Sequence, residues 1–159
     1  MILHIKGSNK AVRRLIETAA WFYAEKLMGK RLMESLEITI NLKKNLLSKE
    51  GFEGTAIWED DGYRPREFTI ELDTTVKIRN LLITLAHEMV HIKQWAKDEM
   101  YEYMNVAGLV RFKGEKVHME ITDYWDYPWE IEAYGKQLGL FVRFCEHMGF
   151  ECDDMKEEA

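Results

Sequence analysis

The chain has 159 residues, 47% hydrophobic and 31% charged; that is enough apolar content for one packed core and too little length for two domains. Its formal charge of −6 argues against broad binding to phosphate backbones. No stretch approaches the roughly 20 continuous apolar residues of a membrane span, and residues 1–7 lack the charged start and long apolar run of a secretory signal.

Residues 2–6 alternate weakly, which predicts a short strand. Ser8 and Asn9 offer an N-cap, and the apolar stripe Val12, Leu15, Ile16, Ala19, Tyr23 and Leu27 predicts an amphipathic helix stopped by Gly29. Residues 36–42 alternate with period two and predict a second strand. Residues 52–59, with Phe52, Gly54, Ala56 and Trp58 on one parity, predict a third. Residues 67–72 predict a fourth, with Phe68, Ile70 and Leu72 on one face. The turn Asp60-Asp61-Gly62-Tyr63 joins the last two as a hairpin. Together these elements predict a small, mostly antiparallel sheet.

Asp73, Thr74 and Thr75 are candidate N-caps for a long helix reaching Ala96. Its main stripe is Ile78, Leu81, Leu82, Leu85, Met89 and Ile92, and a second apolar patch (Ile83, Ala86, Val90) lies well round from it. A helix with two apolar faces is sandwiched between other elements. Residues 98–126 are the least regular: 110–114 and 116–120 read either as a small hairpin or as a loop. Pro128 suits the first turn of a last helix that runs through Ala133, Leu138, Phe141 and Cys145 to Gly149. The fold class is therefore α+β, with one domain over residues 1–150 and an acidic, frayed tail over 151–159. Cys145 and Cys152 form no disulfide framework and suit a reducing cytoplasm. With His147 they read as a buried thiol and a tail thiol rather than a metal site.

Chemistry concentrates in His87-Glu88-Met89-Val90-His91. On a helix, positions i and i+4 lie one above the other, ~6 Å apart at Cβ, so two imidazoles can converge on one ion. Glu88 then stands beside the ion, where it can take a proton from a bound water. A catalytic zinc site wants a third protein ligand, and Glu130, Glu132 and His118 are the candidates. Glu130 and Glu132 point ~200° apart on a helix. Glu130 shares its stripe with Ala133, Tyr134, Gln137 and Phe141, which makes it the inward one.

This arrangement resembles the zincin metallopeptidases, in particular a minimal gluzincin: His-Glu-x-x-His on one helix and Glu-x-x-Ala on a later one. It is similar to IrrE-like and HtpX-like peptidases, whose third ligand is the Glu three residues before a small residue; here that is Glu130 with Ala133. Residues 87–94 and 128–134 also resemble SprT-like and WLM-type metallopeptidases, including phage-encoded ones. The resemblance implies a zincin-like fold, a Zn2+ cofactor held by His87, His91 and Glu130, and a peptide or protein substrate hydrolysed by a water that Glu88 activates. It also implies that residues 67–72 edge the cleft and pair with an extended substrate.

Two departures bear on the site. SprT-like proteins usually place a histidine third, which keeps His118 as an alternative ligand. Tyr134 stands where the gluzincin pattern often has Asp or Asn, which leaves the partners of the ligand histidines unassigned. Tyr134, Tyr127, Tyr124 and His118 are the candidate oxyanion donors. The rival class is a non-catalytic zinc module, structural or for phage morphogenesis, whose closed site would use four protein ligands. A SprT-type nucleic-acid-associated protease is a third reading, weakened by the acidic charge and by the lack of zinc-ribbon cysteines.

Overall fold

An 18-residue helix between two strands is long enough to carry the chain back across a sheet, and this connection sets the topology. In the computed structural model, which describes residues 1–60 and 63–151, β1 (Ile2–Lys6) leads through α1 (Lys10–Leu27) to β2 (Glu37–Lys43). The two strands pair in parallel, as a helical crossover requires. β3 (Gly54–Trp58) and β4 (Glu67–Asp73) form the expected antiparallel hairpin. β4 then inserts beside β2, again in parallel, giving the order β1-β2-β4-β3. The sheet is thus mixed and mainly parallel, which corrects the antiparallel expectation. Alternation reports that one face is buried, and it carries no information on strand direction. Ile38, Ile40 and Leu42 on β2 and Phe68, Ile70 and Leu72 on β4 supply that buried face.

A second correction concerns the edge. Residues 67–72 are not an edge, because β4 is paired on both sides; the edge strands are β1 and β3, and β3 is the one packed on α4.

Asn9 caps α1 as expected, its side chain accepting from the Val12 amide. Two short helices, α2 (Lys30–Glu34) and α3 (Leu46–Glu50), were not anticipated. The long helix α4 (Ile78–Ala96) starts later than its expected caps: Lys77 is the N-cap and makes no side-chain cap bond. Asp73 instead accepts from the Leu47 amide and from the amide and hydroxyl of Thr75, tying α3 to the end of β4.

The irregular region resolves into a second antiparallel sheet, β5 (Met100–Glu102), β6 (Leu109–Phe112) and β7 (Glu115–His118), in that order. The hairpin reading therefore holds and gains a third strand. A 3-10 turn over Tyr124–Asp126 precedes α5 (Pro128–Met148), with Pro128 in its first turn. α4 packs against α1, α5 and β3, the sandwich that its two apolar faces predict. No helix among the described residues is long and apolar enough to cross a membrane. Asp61 and Gly62 of the expected turn, Cys152 and the tail beyond Glu151 lie outside the described residues; Cys145 is buried.

Candidate metal centre

α4 is enclosed along its second half, so His87, Glu88 and His91 are all buried. Helical spacing aims both imidazoles at α5, where Glu130 lies in the first turn. His87 Nε2 stands 3.1 Å from Glu130 Oε2, and His91 Nε2 3.3 Å from Glu130 Oε1. The two Nε2 atoms are 3.1 Å apart. All three donor groups lie within 4.8 Å of one another, an arrangement able to hold a metal ion.

The far nitrogen of each ring is also committed. His87 Nδ1 meets Gln137 Oε1 at 2.8 Å, and His91 Nδ1 meets Gln94 Oε1 at 2.9 Å. An amide oxygen only accepts, so each Nδ1 carries the proton and donates. In the neutral ring each Nε2 is left with its lone pair facing the cluster. Two lone pairs and a carboxylate turned on one another repel unless a proton or a metal ion lies between them, and that donor set fits a metal ion. Gln94 is itself oriented: its Nε2 donates to the Trp129 carbonyl (2.9 Å) and to Glu132 Oε1 (3.0 Å). Glu132 also accepts from Lys93 and Lys113, and Lys93 reaches Glu99. Glu132 thus acts one step back from His91, as the half-turn offset from Glu130 predicts.

The titrating groups respond to this crowding. Burial pushes Glu130 up, but hydrogen bonds from His87 and His91 outweigh it and hold the carboxyl at about 2. Burial pushes His91 down, but Glu130 and Glu88 outweigh it and raise the imidazole above its ordinary value. The pocket therefore attracts positive charge. Glu88 is raised, first by its burial and also by Glu130, against the pull of His91 and His87.

Glu88 and His87 line two cavities that meet at the cluster. One, of about 640 Å³, opens towards the start of β3 and α4. The other, of about 270 Å³, follows β3 past His91 and Glu130. Tyr124 borders both. Its hydroxyl lies 3.3 Å from that of Tyr134, and the Tyr134 ring meets His87 edge-on, 4.6 Å between centroids. Burial, then Tyr134 and Glu130, push the Tyr124 hydroxyl up, so it stays protonated. Tyr127 is engaged elsewhere, donating to the Met119 carbonyl and stacking on Trp129. His118 sits at the end of β7 and lines a separate surface depression with Ile121 and Pro128; it is outside the three-residue cluster.

The sequence reading missed Gln94, Gln137 and Lys93. A signal existed for the glutamines: Gln94 is three residues after His91, and Gln137 shares the Glu130 stripe. Nothing in the sequence joins Lys93 to Glu132. In comparisons with known proteins, the chain matches no family model, no curated protein and no solved structure.

Proposed function

We propose that this protein is a zinc-dependent metallopeptidase with a zincin-like fold, in which His87, His91 and Glu130 hold the ion. Two imidazoles and one carboxylate are a ligand set suited to zinc. When bound, the ion supplies Lewis acidity to a scissile carbonyl and lowers the pKa of a water. The observation that carries the reading is Glu88, a buried carboxylate beside the ligand cluster and open to both arms of the cleft. With its pKa raised, Glu88 takes the proton of the attacking water and hands it to the leaving amine. The Tyr124 hydroxyl, on the border of both arms with Tyr134 beside it, donates to the oxygen of the scissile carbonyl. The open edge of β3 offers main-chain hydrogen bonds to an extended peptide. The group holds three residues among those described. That leaves room for a water or substrate, as a catalytic rather than a closed structural site needs.

The test is Glu88→Gln on the zinc-loaded protein, with unfolded casein and a mixed peptide pool as substrates. The amide cannot accept a proton, so turnover falls by about 10²–10⁴-fold while zinc stays bound at the wild-type level. Undiminished turnover removes Glu88 as the base, and a wild type that cuts neither substrate points to the structural module.

A further inference from the structure

The two arms of the cleft differ in charge. The larger arm sets Arg79 beside Glu53, in addition to the Glu88 that both arms share. In the smaller arm, beyond the ligand cluster, lies Glu102 at the end of β5. Its neighbour Trp58 is neutral, and no lysine or arginine among the described residues forms an ion pair with it. Arg64 is near but committed, 3.9 Å from Asp98 and lying over the Tyr63 ring. Burial pushes the Glu102 carboxyl up, against the pull of Trp58 and His91. Beside it a recess of about 50 Å³ is walled by Trp58, Trp95 and Tyr101. A half-buried carboxylate among aromatic walls is well placed to take a cation, which gains both an ion pair and ring contacts.

Direction follows from β3. Glu102 adjoins the Trp58 end of that strand, and Gly54 begins it beside the larger arm. A peptide added to the open edge in the antiparallel sense, which forms the stronger ladder, runs from the Trp58 end towards Gly54. Its N-terminal part then passes Glu102 before the scissile bond reaches Glu88.

We propose that Glu102, with the Trp58 and Trp95 rings, forms a subsite for an ammonium or guanidinium group on the N-terminal side of the bond that is cut. This inference rests on the peptidase reading for the position of the bond, but the subsite itself is a binding property that can be measured without turnover. The cation is either a Lys or Arg side chain or the free α-amine of a peptide, and the experiment separates them.

Zinc-loaded full-length protein is given N-acetylated octapeptides of alanine and leucine in which one lysine, or neutral norleucine, is walked along the chain. Products are weighed. The expected result is cleavage on the carboxyl side of lysine, with lysine favoured over norleucine by about tenfold, a ratio that falls to about one in Glu102→Gln. If the α-amine is the ligand, the preference appears only for unacetylated peptides and vanishes in the same variant. Binding of the same peptides to zinc-loaded Glu88→Gln, followed by tryptophan fluorescence, gives a readout independent of catalysis. A lysine or free-amine preference in binding that is lost on adding Glu102→Gln, with no cleavage by the wild type, defeats the peptidase reading and leaves the cation subsite standing. Equal binding and cleavage of lysine and norleucine peptides with no free-amine preference, a preference unchanged in Glu102→Gln, or lysine favoured on the C-terminal side overturns the proposal.

Discussion

From Ile78 to Ala86, α4 keeps an ordinary amphipathic pattern: Leu81, Leu82, Leu85 and Ala86 are buried, and Ile78, Arg79 and Asn80 are at least partly exposed. From His87 to Ala96 every residue is buried, including His87, Glu88, His91, Lys93 and Gln94. The first half is held mainly by apolar burial, with the Tyr23 hydroxyl donating to the Leu82 carbonyl. The second carries polar groups that would cost several kcal/mol each if left unpaired in that environment, and almost all are answered across α5 by Glu130, Glu132, Gln137 and the Trp129 carbonyl. A helix that needs only to fold does not require this. The polar half carries the two histidines of the cluster able to hold a metal ion.

Substitutions in the two halves should separate stability from metal binding. Leu85 is wholly buried, so Leu85→Ala should cost about 2–5 kcal/mol of stability through lost burial and a residual cavity, read by denaturant unfolding. Zinc affinity of the folded fraction should stay at the wild-type value. A weakened site in folded Leu85→Ala protein would show that the halves are not independent.

For the polar half, Gln94→Ala within it and Gln137→Ala on α5 each remove the acceptor that meets an Nδ1 of His91 or His87. Loss of such support typically costs 10–100-fold in metal affinity, measured by competition with a chromogenic chelator. An unchanged affinity in both would mean that the rings are held by packing alone.

A further effect, confined to acid pH, is a dependence of stability on pH. Burial raises Glu132, but Lys93, Gln94 and Lys113 outweigh it and hold its pKa at about 2 against a reference of 4.5. A carboxylate depressed by folding stabilises the fold above its unfolded pKa, and that contribution is lost as pH falls from about 4.5 towards 2. Metal-free Glu132→Gln should therefore lose less stability than the wild type across that window. Parallel acid-unfolding curves for the two proteins would contradict the ion network.

These contrasts also explain what was legible beforehand. Periodicity located every long element, since the 3.6 and 2.0 repeats report directly which faces are buried. The metal face was readable because its geometry is local to one helix, and Glu130 because a helix face separates it from Glu132. Strand direction depends on which strands α1 and the β3–β4 hairpin bring together, and no repeat encodes that. β5 is three residues long, too short for a pattern. Glu102 and Lys93 acquire meaning only from groups distant in sequence, Trp58 for one and Glu132 for the other.

The central claim is that His87, His91 and Glu130 together hold one metal ion. It is tested most directly by zinc stoichiometry with X-ray absorption at the zinc edge, for the wild type and for Glu130→Ala. The account predicts about one zinc per chain, bound by two imidazole nitrogens and oxygen at about 2.0–2.2 Å, and a strong loss of affinity in Glu130→Ala. Wild-type affinity and an unchanged coordination shell in Glu130→Ala, or a third imidazole in the wild-type spectrum, would contradict it.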